Sequence, residues 1–153
     1  MTHLARVESN AEYIEHASDV ERAALGALNA EKAESGALTI VLTDSAQIQT
    51  LNREFSGKDI STDVLSFPDG TLDPDLNMMY FGDIIIAVPI AQEQAKRLEH
   101  SLNDELMLLT VHGTLHLLGF DHALPQEKDR MWAHQESILK QLGITIQSQG
   151  RNE

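Results

Sequence analysis

The segment Val111–His122, VHGTLHLLGFDH, places three of the chain's seven histidines in otherwise apolar sequence. Imidazoles are expensive to bury unless their nitrogens find partners, so three of them this close together imply a shared one. His112 and His116 are four residues apart. On a helix, that spacing puts the two side chains about 40° apart around the axis and roughly 6 Å along it, on one face. Two imidazoles so placed can grip one metal ion. Gly119 stands where such a helix would end, and glycine can take the left-handed conformation that turns the chain back. That turn would deliver His122 to the same ion as a third ligand. The chain has no cysteine, so any metal must be held by imidazole and oxygen.

The spacing H-x-x-x-H-x-x-G-x-x-H is also that of the metzincin metalloproteases, in which three histidine nitrogens hold zinc and a fourth position stays open for water. In H-E-x-x-H enzymes the residue after the first histidine is the glutamate that takes the proton from that water. Here it is Gly113, which argues against proteolysis and leaves the general base unassigned. Glycine costs a helix interior about 1 kcal/mol relative to alanine. The missing side chain therefore serves either close approach of a substrate or backbone, or packing of the helix. Asp121 reads as a carboxylate that orients a ligand imidazole or as a turn cap. Asp63 and Ser66 read as cleft residues or as strand-end hydrogen-bonding groups.

Several elements must position this motif. Ser101, with Asp104 and Glu105 in the first turn, opens a helix through Leu118 whose last half is apolar nearly all round, the mark of a buried helix. Gly82–Val88, apolar on both faces, reads as a central strand, and Pro89 suits the first turn of a helix ending around Leu98 or His100. Pro125 begins a final helix with Met131, Trp132, Ile138 and Leu142 inward and Gly143 as its stop. Upstream, Ser9 or Asn10 caps a first helix running to about Ala30. Leu38–Leu42 is a strand, and Asp44 or Ser45 caps a helix through Phe55. Asp63–Phe67 is a strand stopped by Pro68, and PDGTLDPDLN after it reads as a mobile loop. Helices and strands interleave without a linker or repeat, so the class is mixed α and β.

At 153 residues the chain suits one domain, placed at 1–146 as a metal-dependent hydrolase-like unit with a frayed tail over 147–153. Twenty-four acidic residues against eleven basic ones leave a formal charge of −13, which repels polyanions at long range and counts against broad nucleic-acid binding. A local basic groove is compatible with that sum, because screening acts over about 8 Å at physiological salt. No basic N-terminal region precedes an apolar one, and no apolar run approaches the roughly 20 residues of a membrane span. The expectation is a soluble, untargeted, cytoplasmic protein with no membrane partner.

HGTLHLLGFDH from His112 to His122, STDVLSFP from Ser61 to Pro68 and FGDIIIA from Phe81 to Ala87 occur in the order found in a known bacterial family. By these motifs, and by a final helix bearing Met131 and Glu136, nearly the whole chain resembles the YbeY family of endoribonucleases and rRNA maturation factors. The resemblance implies an α+β fold, a small mixed β-sheet packed among about five helices. It also implies one Zn²⁺ on His112, His116 and His122 with an open coordination position. The implied activity is single-strand-specific RNA cleavage in 16S rRNA 3′-end maturation and ribosome quality control, with the ribosome or ribosomal proteins as partners. Family members commonly carry arginine directly after the aromatic residue of the segment matching Leu51–Asp59, and this chain has Ser56. A guanidinium could clamp a phosphate bidentately, whereas a serine hydroxyl offers one neutral donor. Arg53 and Lys58 are the nearby cations that could substitute, or they are solvated charges. Lys96 with Arg97, and Lys128 with Arg130, are further phosphate contacts or ordinary helix charges.

Two other readings fit the same residues. One is a metal-stabilised ribosome-assembly factor that binds RNA or protein without cutting, which Ser56 and the acidic composition favour. The other is a metallohydrolase of a different substrate, since an open three-histidine site supports several chemistries.

Overall fold

The strand with the most continuous apolar sequence is bordered on both edges. In the computed structural model, which describes residues 2–56 and 63–146 without the side chains of 55 and 56, it is β4 (Met78–Ala87). With β1 (His3–Ser9), β2 (Gly36–Thr43) and β3 (Val64–Asp73) it forms a sheet of order β1-β2-β4-β3. β1, β2 and β4 run parallel, and β3 pairs antiparallel with β4. Alternate residues of β4 serve two cores: Ile84 and Ile86 face one side, Ile85 and Ala87 the other. Where both faces are covered a strand has no place for a solvated side chain, hence the apolar run from Ile84 to Ala87.

Five α-helices surround the sheet: α1 (Ala17–Ala30), α2 (Ser45–Ser56), α3 (Val88–Arg97), α4 (Leu102–Leu117) and α5 (Pro125–Gln141). This is the small mixed sheet among five helices, in a single α+β domain, that the sequence led us to expect. α4 lies in the larger core, against the Ile84 and Ile86 face, between α1, α3 and α5. Every residue from Glu105 to Leu115 is buried. Its start is capped as expected, the Ser101 hydroxyl accepting the Asp104 amide at 3.1 Å. α2 covers the opposite face, where Ile48 packs with Ile85 and Ala87.

The structure corrects two local expectations. No single helix runs from Asn10 to Ala30: His3–Ser9 is β1, a 3₁₀ turn follows at Ala11–His16, and α1 begins only at Ala17. Leu4, Arg6 and Glu8 are exposed while His3, Ala5 and Val7 are half-buried, the period-two pattern of an edge strand. Nor does Pro68 end its strand. β3 continues to Asp73 through an irregularity between Pro68 and Thr71, and proline is tolerated because β3 is the sheet's edge. PDGTLDPDLN is therefore an ordered hairpin. Its turn is closed by Asp73, which accepts the amides of Asp75 and Leu76 on its carboxylate and that of Asn77 on its carbonyl. Among the described residues, no helix is long and apolar enough to cross a membrane.

Candidate metal centre

The burial of α4 carries its two histidines inward on one face. His112 is 2% exposed, and its Nε2 lies 3.2 Å from Nε2 of His116. The helix then ends as the sequence implied. Gly119 adopts φ +101°, its amide donates to the His116 carbonyl, and the Phe120 amide donates to that of Leu115, both at 3.0 Å. These two bonds form a Schellman stop, which satisfies carbonyls the helix leaves free and reverses the chain. His122 is thereby returned to the cluster, its ring centroid 5.0 Å from that of His116 and 5.7 Å from that of His112. One ring nitrogen from each histidine lies within 4.8 Å of the others.

This donor set fits a divalent metal that favours nitrogen. Zinc bonds imidazole at about 2.0–2.1 Å, so two such ligands at a tetrahedral angle stand about 3.3 Å apart. The His112–His116 separation already matches that figure. The sequence placed all three residues together, and they are together. What it did not single out is Gln135. This side chain is fully buried, and its Oε1 accepts a hydrogen bond from His112 Nδ1 at 2.9 Å. A signal was present: Met131, Gln135, Ile138 and Leu142 follow helical spacing along the inner stripe of α5, and a polar residue on such a stripe needs a partner inside.

Trp132, also on α5, stands edge-on to His112 and His122 at 5.5 and 5.6 Å between centroids. Lys128 Nζ lies 5.6 Å from the Trp132 centroid, and the Arg130 guanidinium sits 4.7 Å from the Phe120 ring. Lys96 and Arg97 are elsewhere, in the last turn of α3 beside the start of α4, whereas the histidines occupy its C-terminal half. Arg53 is exposed in the last turn of α2, on the sheet face opposite α4. Lys58 and the Ser56 side chain lie outside the described residues.

Burial holds the His116 imidazole below its ordinary pKa, and the neighbouring His122 pushes the same way; a hydrogen bond to the Phe120 backbone and the Asp121 charge oppose them. The net effect favours the neutral ring that a metal requires. Asp121 Oδ1 accepts the His122 backbone amide at 2.7 Å, so its carboxylate caps the turn. Asp63 belongs to a buried strand-end network. Its Oδ2 accepts from Gln94 Nε2 at 3.1 Å, and the same nitrogen donates to Glu105 Oε2 at 2.7 Å. Ser66 faces Gly113.

Comparison with known proteins identifies the chain's family and fold. A family model described as Endoribonuclease YbeY matches residues 5–143. A protein named Endoribonuclease YbeY from Carboxydothermus hydrogenoformans is 39% identical over 144 residues, covering 94% of this chain and 99% of its own. Its namesake from Geobacillus thermodenitrificans is 40% identical over 146 residues, covering 90% and 92%. The solution structure of TM1509 from Thermotoga maritima shares the fold, with a TM-score of 0.60 at 22% identity over 91% of each chain. From the histidine motif on α4 to the strands beneath it, the chain belongs to the YbeY family.

Proposed function

We propose that this protein is a metal-dependent, single-strand-specific endoribonuclease acting in 16S rRNA 3′-end maturation and ribosome quality control in the cytoplasm. Residues 1–146 form its hydrolase domain. His112, His116 and His122 hold one zinc ion with one position left for water or a phosphoryl oxygen. The observation that carries this reading is the convergence of three imidazole nitrogens within 4.8 Å of one another, two of them 3.2 Å apart. It is supported by the relatives, which are named endoribonucleases.

When bound, the ion supplies Lewis-acid polarisation of a phosphoryl oxygen and a lowered pKa for water. The chain's own residues do the remaining work. Three neutral imidazoles leave the ion's charge uncompensated, which suits a polyanionic substrate. Trp132 restricts the His112 and His122 rings from one side. The Lys128 ammonium beside Trp132 offers a phosphate contact close to the ligands, which the net charge of −13 makes valuable. Lys58, two residues beyond Ser56 in sequence, is proposed as the cation that stands in for the missing arginine; Arg53, on the sheet face opposite α4, is not.

The test is cleavage of a labelled single-stranded RNA carrying the 3′ region of 16S rRNA, with a duplex of the same sequence as control. Wild-type protein is compared with folded His116→Ala protein purified identically. Cutting of the single strand by wild type alone is expected. No cutting by either protein, or equal cutting by both, overturns the proposal in favour of a binding factor without nuclease activity.

A further inference from the structure

The structure assigns a positioning role to Gln135: it fixes the tautomer and ring orientation of His112, so that the Nε2 lone pair points at the place shared with His116 and His122. The inference rests on the metal-site reading above and adds a residue to it. An imidazole has two nitrogens, and a neutral ring binds a metal only through the one without a proton. Nothing in the three-histidine spacing decides which nitrogen that is. Gln135 does, because its Oε1 can only accept, and it faces His112 Nδ1 at 2.9 Å. Nδ1 must then carry the proton, and Nε2, 3.2 Å from His116 Nε2, is left bare.

Both members of the pair are held rigidly. Gln135 is fully buried, as are Met131, Ile138 and Leu139 around it on α5, and His112 is 2% exposed on the buried face of α4. The bond thus ties α5 to the ligand helix at the site itself. Metal-binding histidines commonly give their second N–H to a carboxylate or carbonyl, and losing that partner costs about 10- to 100-fold in metal affinity. Here the acceptor is a neutral amide. It orients the ring without adding negative charge beside an ion meant to meet phosphate, which a glutamate at 135 would do.

Two measurements test this. The first uses metal-free wild type at about pH 8, where imidazoles are neutral. Long-range proton–nitrogen NMR correlations should show His112 protonated on Nδ1, and predominant Nε2–H would overturn the assignment. The second is Zn²⁺ affinity by competition with a chromophoric chelator. Gln135→Leu, which keeps bulk but removes the acceptor, should bind about 10- to 100-fold more weakly, while Gln135→Glu should retain wild-type affinity or exceed it. Thermal unfolding of the metal-free variants controls for folding. Zinc binding by Gln135→Leu within twofold of wild type sinks the positioning role. Failure of wild type to bind zinc sinks the metal-site reading instead, and the NMR tautomer then still decides whether Gln135 orients His112. Should Gln135→Leu not fold, the tautomer and the Gln135→Glu result carry the test.

Discussion

Gly113 of α4 lies so close to Ile84 of β4 that a Cβ at position 113 would stand 2.7 Å from Ile84 Cγ2, and 3.2 Å from Ser66 Oγ. The glycine between the histidines thus serves helix packing: it lets α4 settle onto the sheet. In an exposed helix, glycine to alanine gains about 1 kcal/mol; in this contact, overpacking costs about 1–3 kcal/mol. Gly113→Ala should therefore lower the unfolding temperature and, by lifting His112, weaken zinc binding. In an Ile84→Ala background the same change should cost less, a non-additivity that a double-mutant cycle reads directly.

The metal-free protein should show two opposed pH dependences. His116 has a folded pKa below its ordinary 6.5, chiefly through burial. As pH falls, the unfolded chain takes the proton first, so stability present above 6.5 is lost on acidification. Asp63 has the reverse sign. Burial, with the Glu105 charge, outweighs the Gln94 and backbone hydrogen bonds and raises its pKa above 3.8. Its contribution is full below 3.8 and is lost as pH rises through the folded value. Chemical denaturation from about pH 4 to pH 8 in the presence of chelator checks both. His116→Ala should flatten the fall near neutrality, and Asp63→Asn should raise stability at pH 7 relative to pH 4. Unchanged slopes would contradict the assigned signs.

Glu105 is fully buried, with His100 Nε2 2.5 Å from its Oε1 and Gln94 on its other oxygen. Removing one partner from a buried pair leaves a charge that has paid for desolvation without compensation. His100→Ala is expected to cost about 3 kcal/mol. Adding Glu105→Gln should recover part of that loss in equilibrium denaturation.

Placement separates the basic pairs. Lys128 sits over Trp132, which packs against the His112 and His122 rings, whereas Lys96 belongs to the end of α3 near the start of α4. Lys128→Ala should weaken binding of single-stranded RNA several-fold and reduce its salt dependence by about one phosphate contact. Lys96→Ala should leave both within twofold. Filter binding at several salt concentrations distinguishes them, and equal effects would remove Lys128 from the site.

Ser56→Arg should raise the rate of RNA cleavage, since a bidentate, charged donor replaces a single neutral hydroxyl. Single-turnover assays with saturating protein measure it. An unchanged rate means that position 56 does not limit the reaction.

The three clustered histidines, the helix that carries two of them and the turn that returns the third are legible in sequence because each depends on neighbours within a few residues. A four-residue spacing fixes a helix face, and glycine at Gly119 permits the left-handed stop. β4 is legible too, since burial on both sides leaves an apolar run. β1 is not, because a half-exposed edge strand carries only a weak apolar pattern, and what holds it, its pairing with β2, crosses more than thirty residues. The hairpin through Pro68 escapes local reading for the same reason: edge position decides whether proline breaks a strand. Gln135 and the purpose of Gly113 belong to this second group. By itself, the sequence determined which atoms could bind a metal. Only the tertiary structure decided which nitrogen of His112 is offered to it, because that choice is made by a side chain twenty-three residues away on another helix.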